Sequence, residues 1–416
     1  MIRDRENGRP DVVIVGAART PIGMKCGTLA GFSPEDLATL AAQEAIRRGG
    51  VDRERIDAAV GANVYQTTAP GAQDIYFPRN VALRVGLRTE TPALMVQRIC
   101  GSGLQAIING YQQILLPDEV DEASVVLCFG AETMSRTPQV IRAPRTRSNF
   151  WEFAEGGTVE DTLWAGLNHD LAQTTMMRTA DEYGARMGVE RRECDEFAAQ
   201  SHERARAAYR QSYLNGGDAL RGLFALDAED LDGRPVHLAR DECVRQADRA
   251  SLAALPGLTP HGLVSAGSAS EICDGAAAVV IADRMTVENQ GWTARFRIAG
   301  CGVSGVDPRV MGRGPVPAIR TALARAGIAQ KDVDLWEINE AFAAQYLGVE
   351  KELGLDRGRT NVNGGAIAIG HPLAATGIRM VVDLIFEMER REATWGCASA
   401  CIGGGQGIAV IVQSVG

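Results

Sequence analysis

An α/β chain made of two related halves, the first interrupted by a polar insertion, is the fold class the sequence predicts, on three observations. Apolar runs of strand length alternate with segments whose apolar residues recur at helical spacing. Part of the first half returns at a constant offset: Gly50-Val51 and Ile56-Asp57 meet Gly327-Ile328 and Val333-Asp334, while Ala41, Ala45 and Arg48 meet Ala318, Ala322 and Arg325. Between the halves, from Arg136 to about Val264, the chain turns polar and arginine-rich before strand character resumes at Asp274.

The elements follow in order. Residues 11–15 read as a short buried strand leading into a turn over 16–21. Ser33-Pro34-Glu35-Asp36 supplies a hydroxyl cap, a proline at the first helical position and two acids in the first turn, opening a helix to about Arg48. A strand is expected over 56–64. Another ends at Cys100 and passes into a helix carried by Leu104, Ile107, Ile108, Tyr111 and Ile114. A further strand over 124–129 closes on Gly130-Ala131-Glu132-Thr133-Met134-Ser135. Strands alternating with helices imply a largely parallel sheet. The insertion is expected to hold helices over 179–187 and 192–214, and a strand over 274–281 returns to the sheet. In the second half, Asn361 to Pro372 stands where the first has Cys100, and Ile378, Val381, Val382, Ile385 and Met388 continue it as a helix. The last strand is expected over 408–412. Residues 1–135 with 265–292 then form the first half, 136–264 the insertion and 293–416 the second half.

Composition narrows the function. With 416 residues, 45% hydrophobic and 23% charged, the chain has the balance of a soluble globular protein of two or three domains. A formal net charge of −9 argues against general nucleic-acid binding, so any anion site is local. The nine cysteines are scattered singly and the N-terminus lacks an apolar signal core, which points to a reducing cytosol. No apolar run approaches the ~20 residues of a membrane helix. The five histidines lie far apart with no zinc-type spacing, so no metal is expected. Gly300-Cys301-Gly302-Val303-Ser304-Gly305 matches a dinucleotide fingerprint, but Asp307-Pro308 follows it in place of a helix start.

Cys100, in Ile99-Cys100-Gly101-Ser102-Gly103, sits at a strand-to-helix junction. Free amides and the helix dipole there favour a thiolate, as a nucleophile needs. A buried structural cysteine ahead of a helix fits that stretch equally well. The repeat offers His371 from the matching junction. Polar groups gather in Trp336-Glu337-Ile338-Asn339-Glu340-Ala341-Phe342, and a second cysteine, Cys401, precedes the turn Ile402-Gly403-Gly404-Gly405.

Taken in order, Ile99-Cys100-Gly101-Ser102-Gly103, Gly130-Ala131-Glu132-Thr133-Met134-Ser135, Asn339-Glu340-Ala341-Phe342, Gly370-His371-Pro372 and Cys401-Ile402-Gly403-Gly404-Gly405 resemble the motifs of the thiolase family. The degradative 3-ketoacyl-CoA type of mitochondria is the nearest in kind, through Asp74-Ile75-Tyr76 and Gln345-Tyr346-Leu347. The resemblance implies the thiolase fold, a duplicated five-layered αβαβα architecture with an inserted loop domain. It implies reversible thiolytic cleavage of 3-ketoacyl-CoA by CoA through an acyl-cysteine. A biosynthetic acetoacetyl-CoA thiolase is the alternative; a non-catalytic acyl-CoA carrier and a ketoacyl synthase-like condensing enzyme are further readings. By the same resemblance Cys100 is the acylated nucleophile, His371 its base and Cys401 the acid/base for the second substrate. Asn339 holds a water beside His371, and the N–H groups of Cys100 and Gly403 form an oxyanion hole. Coenzyme A is a substrate and no separate cofactor is implied. Its contacts would be Arg245 in Asp241-Glu242-Cys243-Val244-Arg245, with Ser270, Ala266 and Phe342; Arg136, Arg142, Arg145 and Arg147 are a rival source of positive charge. A homo-oligomer, dimer or tetramer, is implied as well.

Two departures stand out. Thr175 replaces the histidine many biosynthetic members carry, and Glu271 replaces a glycine in Ser265-Ala266-Gly267-Ser268-Ala269-Ser270-Glu271.

Overall fold

The computed structural model describes residues 10–116, 123–142, 157–214, 222–229 and 232–415. The first half runs β1 (Val12–Arg19), β2 (Gly23–Met24), α1 (Pro34–Gly49), β3 (Ala58–Ala62), α2 (Phe77–Arg84), β4 (Ala93–Val96), α3 (Ser102–Leu115) and β5 (Val125–Thr133). Among its described residues the insertion holds three antiparallel strand pairs and four helices: β6 (Gln139–Arg142), β7 (Thr158–Asp161), α4 (Thr162–Ala165), β8 (Asn168–His169), β9 (Thr174–Thr175), α5 (Met176–Arg186), α6 (Arg191–Leu214), β10 (Leu226–Glu229), β11 (Pro235–Leu238) and α7 (Arg249–Ala253). The chain returns to the first half as β12 (Cys273–Asp283) and leaves through α8 (Arg284–Gln290). The second half runs β13 (Phe296–Gly305), α9 (Pro315–Ala326), β14 (Leu335–Ile338), α10 (Ala343–Leu353), α11 (Ala366–Ile369), α12 (Leu373–Arg391), β15 (Trp395–Ile402) and β16 (Gln406–Ser414).

Both halves share one strand order. The first reads β4-β3-β5-β12-β1 and the second β14-β15-β16-β13, with the stretch after α10 reaching the edge through a bridge from Trp336 to Thr360. They join where β1 meets β13 at Val13–Arg297 and Ile14–Phe296. The sheet is mixed, which corrects the largely parallel one expected. β3 pairs parallel with β4 and β5, and β14 with β15, but β12 and β16 run antiparallel to both neighbours. The reason lies in the connections. β16 returns from β15 through the tight turn at Gly403–Gly405, and the insertion occupies the equivalent link between β5 and β12. A reversal at that point makes the pair antiparallel.

Alternation along the strands builds five layers. One face of the first-half strands (Val13, Val15, Leu127, Phe129, Val280) packs on α1 and α2. One face of the second (Trp336, Ile338, Ala409, Ile411) packs on α9 and α10. The remaining faces enclose α3 and α12 in the middle (Leu104, Ile107, Ile378, Val382, Val60, Val279, Val410).

Local chemistry matches the expected helix signals. Ser33 Oγ accepts from Asp36 N while the Asp36 carboxylate accepts from Ser33 N, a complete capping box on α1. α1 and α9 both end on a left-handed glycine, Gly50 (φ 60°) and Gly327 (φ 71°), so the offset pair seen in the sequence is one helix stop used twice. The dinucleotide-like run 300–305 lies inside β13, with no glycine-rich turn feeding a helix.

Candidate active site

Cys100 lies between the end of β4 and the start of α3. Its neighbour Ile99 is held at φ 45°, a conformation a β-branched residue rarely adopts. The Ser102 hydroxyl secures the bend by accepting from Arg98 N and donating to Ile99 O, each at 2.7 Å. Its surroundings are apolar, in a cluster with Met134, Leu163 and Leu373.

The helices that follow Cys100 and His371, α3 and α12, meet near their starts. A Cβ on Gly377 would lie 2.3 Å from Leu104 N, so the two backbones approach as closely as glycine permits. The two junctions of the repeat therefore face one another across the middle layer.

His371 is buried and neutral. Its Nδ1 lies 2.7 Å from Thr376 Oγ1, whose hydroxyl donates to Pro372 O at 2.9 Å. That leaves Thr376 as acceptor, assigns the ring proton to Nδ1 and leaves the Nε2 lone pair as the base. Burial, and then the charge of Arg379, pushes the imidazole down to about 3. Nε2 is 3.3 Å from Asn339 Nδ2, and Asn339 Oδ1 has no partner among the described residues.

Cys401 ends β15, fully buried against Met311, Ala341, Met176 and Phe342. Burial lifts its thiol well above the ordinary range, and charge on Cys100 adds to the rise, so the two thiols sense each other. Cys100 is itself pushed up to about 11 by burial, opposed by the N–H groups of Gly403 and of Cys100, with Glu132 adding to the rise. Burial thus opposes the thiolate that the helix N-terminus favours. The Gly403 and Cys100 amides lie near enough to the sulfur to oppose that rise.

The anticipated CoA contacts divide. Ser270 N donates to Ala341 O and Ala343 N to Ser268 O, so 268–270 runs beside Phe342. Ala266 is exposed on the turn that precedes this run. Arg245 is paired with Glu271, the residue standing in place of a glycine, and the Glu271 carbonyl accepts from His371 N at 3.4 Å. Within the rival arginine cluster, Arg136 is spent on Thr68 O and Gly31 O, and Arg142 on Glu160. Arg145 and Arg147 lie outside the described residues. Thr175 caps α5, accepting from Arg178 N at 3.3 Å.

Sequence reasoning missed Thr376, although its place one turn into the helix after His371 was available as a signal. It also quoted Glu132 within a motif without giving it a role.

Comparison with known proteins gives the family. Residues 12–285 match the profile of the thiolase N-terminal domain and 292–414 that of the thiolase C-terminal domain. The chain is 43% identical over 404 residues to 3-ketoacyl-CoA thiolase, mitochondrial, of Homo sapiens, covering 97% of this chain and 98% of that one. It is 39% identical over 407 residues to acetyl-CoA acetyltransferase of Cupriavidus necator, covering 97% and 99%. The crystal structure of human mitochondrial 3-ketoacyl-CoA thiolase in complex with CoA superposes with a TM-score of 0.89 at 42% identity, covering 98% of each chain.

Proposed function

Because the chain belongs to the thiolase family, we propose that it is an acyltransferase that cleaves 3-ketoacyl-CoA with CoA, giving acetyl-CoA and a shortened acyl-CoA, and that runs the reverse condensation. The observation that carries the residue roles is the meeting of two thiols, Cys100 and Cys401, at a site whose one buried imidazole is neutral.

His371 Nε2 takes the Cys100 proton as the sulfur attacks the C3 carbonyl, so a thiolate need not persist in the free enzyme. The C2–C3 bond breaks, the acyl group stays on Cys100, and the carbanion equivalent of acetyl-CoA takes its proton from Cys401. CoA then enters as a thiol, gives its proton to one of these bases and carries the acyl group away. Oxygen becomes negative in both halves of the reaction. The Gly403 and Cys100 amides, and a water held by Asn339 and His371, would meet it, each good donor being worth ~3 kcal/mol in the transition state.

The degradative direction is favoured by the 43% identity to the mitochondrial 3-ketoacyl-CoA enzyme, against 39% to the acetyltransferase. Thr175, used as a helix cap, supports it. CoA serves as co-substrate and the reaction written above needs no further cofactor. All nine cysteines are free, which suits a reducing cytosol, and no described helix is long and apolar enough to cross a membrane.

Incubation with a 3-ketoacyl-CoA and no CoA should leave an acyl adduct on Cys100 by mass spectrometry. Cys100→Ser should abolish turnover with the fold intact, since a hydroxyl of far higher pKa cannot replace the thiol. An adduct on Cys401 alone would reverse the roles.

A further inference from the structure

Glu132 is fully buried at the end of β5, and its carboxylate binds four N–H donors. Oε1 accepts from Asn63 Nδ2 at 3.1 Å and Tyr65 N at 3.0 Å; Oε2 accepts from Val64 N and from Ala374 N, both at 3.2 Å. Val64 and Tyr65 follow β3 and pack in the cluster that surrounds Cys100. Ala374 belongs to the first turn of α12, the helix that begins directly after His371-Pro372.

That helix has no cap of its own. Its N-cap position is Pro372, which offers no side-chain acceptor. The first amides of a helix need an acceptor, and a carboxylate is favoured there by the dipole as well. Here the carboxylate comes from the opposite half of the molecule. The same turn is wedged in place: a Cβ on Gly130 would lie 2.2 Å from Ala374 O, and one on Gly103 2.6 Å from it. A single acid thus ties together the shell around Cys100 and the helix that presents His371.

We infer that Glu132 is a positioning residue for the reaction: by capping α12 from the other half it fixes the His371 junction against the Cys100 junction. The inference rests on Cys100 being the nucleophile. Among the groups around this carboxylate, Cys100 and Tyr65 sense its charge, and Asp74 is a second acid acting on it. Burial pushes Glu132 up to about 7 while the amides of Tyr65, Ala374 and Val64 oppose the rise. The charge discourages a resting thiolate, in keeping with a proton that leaves Cys100 only as His371 receives it.

Two variants separate geometry from charge. Glu132→Gln keeps the length, removes the charge and turns an NH2 toward amide donors. Glu132→Asp keeps the charge and withdraws it from Ala374 N by one methylene. Both should lower kcat about 10- to 100-fold, since small misplacements of reacting groups cost that much, and leave KM for CoA within about twofold. The pH profile of Cys100 alkylation by iodoacetamide should move to lower pH in Glu132→Gln and stay in place in Glu132→Asp. Wild-type kcat in both variants overturns the inference, as does a lowered Tm with kcat per folded molecule and the alkylation profile unchanged. Where Glu132→Gln does not fold, Glu132→Asp decides through kcat. Failure of the wild type to form an acyl adduct on Cys100 would strike the proposed function instead, and the alkylation profile needs no acyl substrate.

Discussion

Glu271 and Arg245 meet at the rim of the site, and the pairing changes what each can do. An arginine held by a carboxylate must leave that partner, or share it, to meet a phosphate of CoA. Both side chains are a third or more exposed (44% and 35%), so the pair is worth only ~0.2–1 kcal/mol. Glu271→Gln should therefore lower KM for CoA about 1.5- to 5-fold with kcat nearly unchanged. Arg245→Ala should raise KM by several-fold, and by less for dephospho-CoA if the 3′-phosphate is the contact. Steady-state kinetics with both ligands checks this; an unchanged KM in both variants would place the positive charge elsewhere. The sequence showed the arginine as a CoA contact and the acid as a departure 26 residues away, unconnected because nothing in local spacing says that two loops will lie side by side.

At the scale of elements, catalysis depends on how closely α3 and α12 approach. The methyl of Gly377→Ala would fall 2.3 Å from the Leu104 backbone nitrogen, and backbone cannot rotate out of the way as a side chain can. The helices must spread, at a cost of ~1–3 kcal/mol for overpacking. Urea unfolding should show that loss, and kcat should fall about tenfold or more in the molecules that remain folded. Full activity with lowered stability would mean that the site tolerates the spread. Helix starts, stops and faces were legible beforehand, because caps and 3.6-residue periodicity are local. Strand direction was not. β5 and β12 are buried on both faces along their whole length, so their composition reads the same in either direction, and only the connection sets it.

Across the whole molecule, one buried charge cluster joins the insertion to both halves. Arg19 of β1 binds Asp241 of the insertion through Nη1 at 2.8 Å and Asp383 of α12 through Nε at 2.8 Å; Arg379 contacts Asp383 and Glu337, each at 3.4 Å. Three acids face two arginines, so one carboxyl is best kept neutral, and burial pushes Glu337 up to about 8 against the pull of Arg379. An acid whose folded pKa is raised binds its proton more tightly in the native state. Its contribution is complete below the ordinary carboxyl range and is lost as pH rises through about 8. Thermal melts should thus show Tm falling between pH 7.5 and 8.5, above the range in which most unfolded histidines titrate, and Glu337→Gln should flatten that fall. An unchanged slope would put the pH dependence elsewhere. Among the described residues the edge strand β4 is paired on one side only, by β3, with Leu94 42% exposed beside the segment of Cys100. Such an edge invites a second copy of the chain. Light scattering should give a mass at least twice the 44.4 kDa of the chain, and a monomer at assay concentration would refute the oligomer.

By itself the sequence pointed to the repeat, the polar insertion, the helix starts and stops and the candidates Cys100, His371, Asn339 and Cys401, because caps, periodicity and motifs are carried by residues near one another in the chain. Only the tertiary structure decided the mixed direction of the sheet, the burial that opposes a thiolate at Cys100, the Thr376 contact that assigns the histidine proton, the Arg245–Glu271 pair and the reach of Glu132 to α12. Each of those depends on burial or on a partner from another segment: Glu132 and Ala374 are 242 positions apart. Desolvation and long-range hydrogen bonds arise only when the halves close on each other.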